Sequence, residues 1–535
     1  MIESAGFCPK TSSDSGSSRA ALFPALIVFV LLFIGLLMAL LLKNNGIFTY
    51  TLDDPYIHLA LASRILHGEY GVNAGEWAAP CSSILWPFLL APFAATRIGL
   101  FVPLILNFLA SIGVICIFNE FIHRSLLNLN DVKRRFFHPL ILIILIPTIQ
   151  LVGLAFTGME HSVQFFLTAL FFFGFLRWGE TGHPSWWLIA AIVLGPLIRY
   201  ENLALSLPAI IVIGLRGYRK SAVIAGLCII LPVAGFSGML QMHGLGVLPT
   251  SVIAKILNPP PLSSNGGHGS VVENLVENLV NRQGTILAFF SVLLLAVVFQ
   301  NRLDAPNVTE RLIAFLAVLG TASLLVFGKI GWFSRYEIYL WGNLLVITIW
   351  VFRNPLVAFI DYEPIYKSIL LGFAAITITG MPYLMITLAV PAAAHNIYGH
   401  QYQMHRFAQE FYAAPIAVND LGLVVYGNNS YVLDLLGLAS KRALEARRPG
   451  ASPDWMNNLA RERNVRFAMV YPGVFPVLPT NWKLLGYLVF TDACLISPEP
   501  RVAFYALDEE IIPRIKSLLE TFSVSLPSCT HFEGQ

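Results

Sequence analysis

The chain has 535 residues, 56% of them hydrophobic and 12% charged. A soluble protein carries roughly 25% charged residues, so a soluble multidomain enzyme and a disordered protein are both excluded. A formal net charge of +3 over this length leaves no basic stripe for a phosphate backbone and argues against a nucleic-acid partner. The class is a polytopic α-helical membrane protein.

The Ser-rich head, residues 1–19, reads as a disordered cytoplasmic segment. The first apolar run, 20–42, has spanning length and no small-residue cleavage site after it, so it reads as a retained anchor. Further apolar runs lie at 100–121, 139–152, 162–176, 186–198, 202–215, 222–240, 285–299, 312–327, 338–352 and 368–390. Together they predict about eleven helices. With the N-terminus inside, alternation puts Arg124, Lys133, Arg134, Arg135, Arg216, Arg219, Lys220, Arg302, Arg311, Arg353 and Lys367 on one side. That is the cytoplasmic side by the positive-inside rule, with Lys43 a mild exception. The other side receives the loop 44–83, the short turns 157–160, 199–201 and 329–336, the loop 243–283, and everything after Pro391.

In the first outer loop, Tyr50-Thr-Leu-Asp-Asp-Pro-Tyr-Ile-His opens a helix with Asp54 as N-cap and Pro55 at its first position. Ile57, Leu61 and Ile65 share one face, which predicts an amphipathic helix lying in the membrane interface. Capping explains Asp54 but not Asp53, and two adjacent carboxylates repel unless a proton, a cation or a partner intervenes. Ser82 or Ser83 could cap the next apolar stretch. The six cysteines, Cys8, Cys81, Cys116, Cys228, Cys494 and Cys529, have no zinc-site or disulfide-framework spacing, although a Cys494–Cys529 bridge is conceivable.

The tail 392–535 is long enough for one soluble α/β domain on the outer face. Residues 417–425 and 431–436 read as strands around the turn 427–429, 452–464 as a helix capped by Ser452, and 467–471 as a strand.

The order of a first helix, Asp53-Asp-Pro-Tyr-Ile-His58, His67-Gly-Glu-Tyr-Gly-Val-Asn73 and Ser82-Ser-Ile-Leu-Trp86 resembles the first outer loop of GT-C fold glycosyltransferases. The likeness is to the mycobacterial terminal β-linking arabinofuranosyltransferases and their bacterial relatives. It extends more distantly to the aminoarabinose transferases of lipid A and the protein O-mannosyltransferases. Thr157-Gly-Met-Glu160 is similar to a Ser-Gly-Leu-Glu turn of those relatives, and Ile198-Arg-Tyr-Glu-Asn202 to an Arg-Pro-Glu-Gly segment, with Tyr200 and Asn202 as departures. Leu248 to Lys255 is similar to a Leu-Pro-Asn-Thr-X-X-X-Lys segment, and Arg335-Tyr336 to the Arg-Tyr that opens a late helix. Asn419-Asp-Leu-Gly422 followed by Asp434-Leu-Leu-Gly-Leu438 resembles the start of those proteins' C-terminal domain.

The resemblance implies a GT-C-like catalytic domain over 20–391 in a bacterial cytoplasmic (inner) membrane, with its outer domain in the periplasm. It implies transfer of a sugar, arabinofuranose or another pentose or hexose, from a polyprenyl-phosphate donor to a cell-envelope glycan or lipid acceptor, with inversion. Such chemistry needs a base for the acceptor hydroxyl and cations for the leaving phosphate. Asp53 is the first choice for the base and Asp54 the second, and Glu160 orients the acceptor or shares a cation with them. Magnesium or calcium could sit between Asp53 and Asp54, although the basic residues could stabilise the phosphate alone. Arg199, Lys255 and Arg335, with Tyr336 beside the last, are candidate phosphate holders at outer helix ends; each could equally be an interfacial anchor. Arg199 and Glu201 could pair with each other, and His58 could touch substrate or be incidental. Two other readings stand beside the enzyme: a transporter or flippase of lipid-linked sugars, and a non-catalytic glycan-binding scaffold. Ionisable residues gathered at outer helix ends rather than at the bilayer midplane favour the enzyme over the transporter.

Overall fold

The computed structural model describes residues 14–257, 271–299, 308–447, 450–475 and 477–535. Every apolar run named above falls on a helix. Seven stretches are long and apolar enough to cross a membrane: Arg19–Lys43, Gly99–Ser125, His161–Thr181, Arg219–Met242, Arg282–Phe299, Val308–Phe327 and Ile365–Tyr412. Ile338–Val351 joins Arg353–Tyr362 through a 67° bend, and Trp186–Ile198 and Tyr200–Leu215 are shorter apolar helices. Against the expectation of about eleven spans, seven helices among the described residues, or eight with the bent pair as one span, are long and apolar enough to cross, and the remaining runs form shorter helices. The first helix begins at Asp14, inside the segment expected to be disordered.

Large side chains fill the bundle, among them Trp341, Phe165, Phe172 and Phe156. At Gly342 an added Cβ would lie 2.2 Å from the Phe165 ring, so the two helices meet on a bare backbone there. At this close approach a side chain would force the helices apart.

The C-terminal part carries one six-stranded sheet in the order β2-β1-β3-β5-β4-β6. The strands are β1 Ile416–Val418, β2 Val432–Asp434, β3 Phe467–Val470, β4 Lys483–Phe490, β5 Arg501–Ala506 and β6 Thr530–Gly534. β1 pairs parallel with β2 and β3, and the remaining pairs are antiparallel. The expected strand 417–425 is corrected here. Only its first part is strand, and Gly422–Val425 forms a short helix. That helical crossover lets β1 and β2 run parallel, which a hairpin turn cannot do. The helix expected at 452–464 is Asp454–Glu462, with Ser452 Oγ accepting the Asp454 N–H.

The helix Asp54–Ile65 does not lie on a surface. Pro55 through Ala62 are all buried. Ile57 and Ala60 pack into the core of the sheet domain with Phe407, Val418 and Val424. Leu61 packs with Leu197, Phe236 and Leu240 of the bundle. The apolar stripe is real, but its partners are protein on both sides. Among the described residues Cys494 and Cys529 are free thiols, as are Cys116 and Cys228.

Candidate functional site

The chain leaves the first helix and is pinned at once. The Tyr50 N–H donates to Tyr56 Oη (2.9 Å), and Tyr50 Oη donates to the Leu100 carbonyl (2.6 Å). The Thr51 N–H donates to the Phe156 carbonyl (3.1 Å), which brings the 157–160 turn alongside. Gly158 has φ +67°, and a Cβ on it would meet the Tyr50 ring at 2.6 Å and Pro55 at 2.8 Å. Both the left-handed backbone and the lack of room call for glycine in the Thr157-Gly-Met-Glu160 turn. Asn107 holds the far side of the turn by donating to the Met159 carbonyl (2.9 Å). The following residue, Glu160, is thereby fixed at the N-terminus of the helix His161–Thr181.

Asp53 and Asp54 part company at this point. Asp53, not Asp54, is the N-cap residue, and its side chain makes no capping bond. Its carboxylate instead accepts the Gly422 N–H (2.5 Å) and the Leu423 N–H (2.8 Å) of the C-terminal domain. A Cβ on Gly422 would lie 2.0 Å from the Asp53 carbonyl oxygen, so the two backbones touch there. Asp420 joins this junction, accepting from Gln401 Nε2 (2.6 Å), while Gln401 also donates to Tyr471 Oη (3.2 Å). Burial, and then the neighbouring Asp420 carboxyl, push Asp53 above the usual carboxylate range against the pull of its two amide donors. Burial pushes Asp420 up to about 6.

The second aspartate looks the other way. Arg335 Nη2 donates to Asp54 Oδ2 (2.6 Å) and to Tyr336 Oη (3.0 Å). The Asp54 side chain is 36% exposed and that of Arg335 4%. Arg335 Nε and Nη1 are buried and meet no acceptor among the described residues. Across the cleft Arg199 Nη1 donates to Glu160 Oε1 (2.8 Å) and to Ser82 Oγ (2.9 Å), and its Nε donates to Glu201 Oε2 (3.1 Å). The guanidiniums of Arg199 and Arg335 lie 5.8 and 5.0 Å from the centroid of the Tyr336 ring. Two cations sharing one aromatic ring need carboxylates close by, and Asp54, Glu160 and Glu201 supply them. Glu160 is fully buried, which by itself raises a carboxyl, yet the Arg199 guanidinium holds it below the usual range. Its second oxygen has no hydrogen bond among the described residues and lies 3.8 Å from His58 Nδ1. Burial depresses His58, which favours the neutral ring.

Arg335 follows an unusual turn. Gly331 has φ +100°, and Trp332, Phe333 and Ser334 have φ +49°, +64° and +52°. Each side-chain-bearing residue in that region costs roughly 1–2 kcal/mol. Such strain persists only where the surroundings impose it. Glu337 Oε2 accepts the Gly331 N–H (3.0 Å), Gln150 Nε2 donates to the Phe333 carbonyl (3.0 Å), and Gln283 Nε2 donates to Ser334 Oγ (3.4 Å). Glu337 is fully buried, and burial pushes it up to about 7.

Ion pairs, hydrogen bonds and ring contacts therefore bring Asp54, His58, Glu160, Arg199, Glu201, Arg335 and Tyr336 into one cluster where helix ends meet, with Asp53 next to it at the domain junction. Lys255 lies on the helix Thr250–Leu257, and its side chain is outside the described residues. The Asp53 and Asp54 carboxylates engage different partners. Among the described residues no group of three or more His, Cys, Asp or Glu is placed to hold a metal. The sequence reading missed Asp420, Gln150 and Glu337, and took Ser82 only for a cap. Ser83 Oγ, not Ser82, accepts the Trp86 N–H (3.1 Å).

A family described as a domain of unknown function (DUF8728) matches residues 395–505. No curated protein sequence matches the chain. Solved structures similar to it include ArnT from Cupriavidus metallidurans in the apo state, 12% identical, with 91% of this chain and 99% of that one covered and a TM-score of 0.45. The Archaeoglobus fulgidus oligosaccharyltransferase complex with Zn and sulfate is 12% identical over 95% of this chain and 75% of that one, with a TM-score of 0.44. The same oligosaccharyltransferase tethered to an acceptor peptide containing the NVT sequon is 13% identical, with the same coverages and a TM-score of 0.46.

Proposed function

We propose that the chain is a GT-C type membrane glycosyltransferase. It moves a sugar from a polyprenyl-phosphate donor to a cell-envelope glycan or lipid acceptor on the outer face of a bacterial inner membrane. The observation that carries this reading is Arg335, a buried guanidinium whose Nε and Nη1 hydrogens have no acceptor among the described residues. A buried donor left unpaired is costly, and a phosphate oxygen arriving at the cleft satisfies it with a charge-assisted bond.

Accessibility supports Asp54, ahead of Asp53, as the base. Both Asp53 oxygens are taken up by backbone N–H groups, whereas Asp54 is partly open beside Arg335. Asp54 takes the proton of the acceptor hydroxyl as its oxygen attacks the anomeric carbon, and the bond from that carbon to the phosphate oxygen breaks. Arg335 then neutralises the departing phosphate. One displacement of this kind inverts the anomeric centre. Glu160 and Ser82 hold Arg199 in place behind Tyr336, and Lys255 remains a third candidate for the phosphate. No step requires a cation between the aspartates, since Asp54 already has one in Arg335.

Mass spectrometry of surface glycans from a strain lacking the chain tests the reading. The expected result is a missing pentose or hexose branch, restored by the wild-type chain and not by a membrane-inserted Asp54→Asn variant. Unchanged glycans would sink it.

A further inference from the structure

The strained turn ahead of Arg335 has no role in the chemistry just described, yet three side chains from separate segments hold it. Gln150, itself at φ +52°, lies between the helices Asp131–Thr148 and Leu151–Ala155. Gln283 lies on the helix Arg282–Phe299, and Glu337 is the N-cap residue of Ile338–Val351. Glu337 reaches back six residues to the Gly331 N–H. The turn does two things at once. It leaves Trp332 55% exposed at the end of the bundle, and it buries Arg335 three residues later. A relaxed backbone over the same residues would turn Arg335 away from Asp54 and Tyr336. The strain is thus the cost of aiming one guanidinium.

We propose that Glu337 and Gln150 are positioning residues, which hold the left-handed 331–334 turn and so fix Arg335 with its unpaired donors presented to the phosphate of the lipid-linked donor. The proposal rests on the glycosyl-transfer reading above. Neither residue touches substrate; each acts through the Phe333 or Gly331 backbone.

The test measures binding of farnesyl monophosphate, with farnesol as the phosphate-free control, to the full-length chain purified in detergent, together with its melting temperature. Glu337→Ala leaves the Gly331 N–H unpaired and is expected to weaken farnesyl monophosphate binding about tenfold, with farnesol binding unchanged. Glu337→Gln keeps an acceptor and should stay within about twofold. Trp332→Gly removes left-handed strain at an exposed position and should recover most of the loss in the Glu337→Ala background. Should Glu337→Ala fail to fold, Gln150→Met carries the same test, with an expected loss of about threefold.

A Glu337→Ala chain that melts lower but binds the phosphate as wild type does would overturn the positioning role. Failure of Trp332→Gly to recover binding would overturn the strain argument. A wild-type chain that does not distinguish farnesyl monophosphate from farnesol would instead overturn the phosphate-transfer reading, and the positioning role with it. In that case coupling between Trp332→Gly and Glu337→Ala in the melting temperature would still report the tie between Glu337 and the turn.

Discussion

Two carboxylates adjacent in sequence belong to two different regions. Asp53 is part of a junction, where the first outer loop locks onto the C-terminal domain through the Gly422 and Leu423 amides. Asp54 is part of a cleft, where carboxylates and guanidiniums meet around Tyr336. The Asp53 carboxylate is saturated, with each oxygen taken by a backbone N–H. The cleft is unsaturated, since Arg335 and Glu160 keep buried polar atoms with no hydrogen-bond partner among the described residues. Saturation marks a structural tie, and incomplete pairing marks a place prepared for something else.

The largest expected effect crosses the two residues. Asp54→Asn should lower sugar transfer by roughly 10²–10⁴-fold, the usual contribution of a positioned general base, with a smaller loss of stability because buried Arg335 loses the charge it pairs with. Asp53→Asn should do the reverse, costing about 1–3 kcal/mol of stability through a misfitted amide donor, with only a secondary loss of transfer. Transfer measured in membranes beside thermal unfolding of the purified chain separates the two. If Asp53→Asn abolishes transfer in a chain as stable as wild type, the division between junction and cleft breaks.

Gly422→Ala probes the junction from its other side. The added methyl would fall 2.0 Å from the Asp53 carbonyl oxygen and 2.6 Å from its carboxylate, both on rigid groups. Overpacking of this kind costs about 3 kcal/mol. Limited proteolysis should then release the C-terminal domain sooner, while the cleft residues keep their contacts. An Ala variant that resists protease as well as wild type would mean that the junction is looser than its geometry.

The junction should also respond to pH, through Asp420 and Asp53 facing each other beside Gln401 and Tyr471. Asp420 titrates near 6 in the folded chain, against about 3.9 when unfolded. Between those values the folded state holds a proton that the unfolded state has released. Stability therefore falls as pH rises through that window, by about 3 kcal/mol in all. The raised Asp53 extends the fall upward in the same direction. Asp420→Asn removes one of the two charges, so its melting temperature should change less across pH 4–7 than that of wild type and exceed it at neutral pH. Parallel pH profiles would show that the pair does not titrate with folding.

The cleft was more legible in the sequence than the junction, for a physical reason. Charge is scarce in this chain, so Glu160, Arg199, Arg335 and the Asp pair stood out at helix ends, and helix alternation put those ends together. The junction depends on a pairing 369 residues apart between a side chain and two backbone amides, and amides leave no mark in a sequence. The Gly422–Val425 helix was hidden by valines that favour strands. The left-handed turn at 331–334 was hidden more deeply. Only Gly331 has the composition of such a backbone, and what holds the rest are Gln150 and Glu337, ordinary residues in apolar surroundings.

The smallest expected effect belongs to Asn73, at the end of the His67-Gly-Glu-Tyr-Gly-Val-Asn73 segment. Its side chain acts as one more rung on β2, with Nδ2 donating to the Val432 carbonyl and Oδ1 accepting the Val432 N–H, both at 2.9 Å. β2 is an outer strand of the sheet, and an open edge exposes unpaired backbone groups. Asn73→Ala removes both bonds at once and should cost about 1–2 kcal/mol. Asn73→Gln has the same amide on a longer stem and cannot close the same ring, so it should recover little. Hydrogen exchange at the Val432 amide reads the effect directly, and the expected result is faster exchange there with no change in transfer. A loss of transfer with Val432 still protected would instead place Asn73 in the cleft's chemistry and redraw the boundary between the two regions.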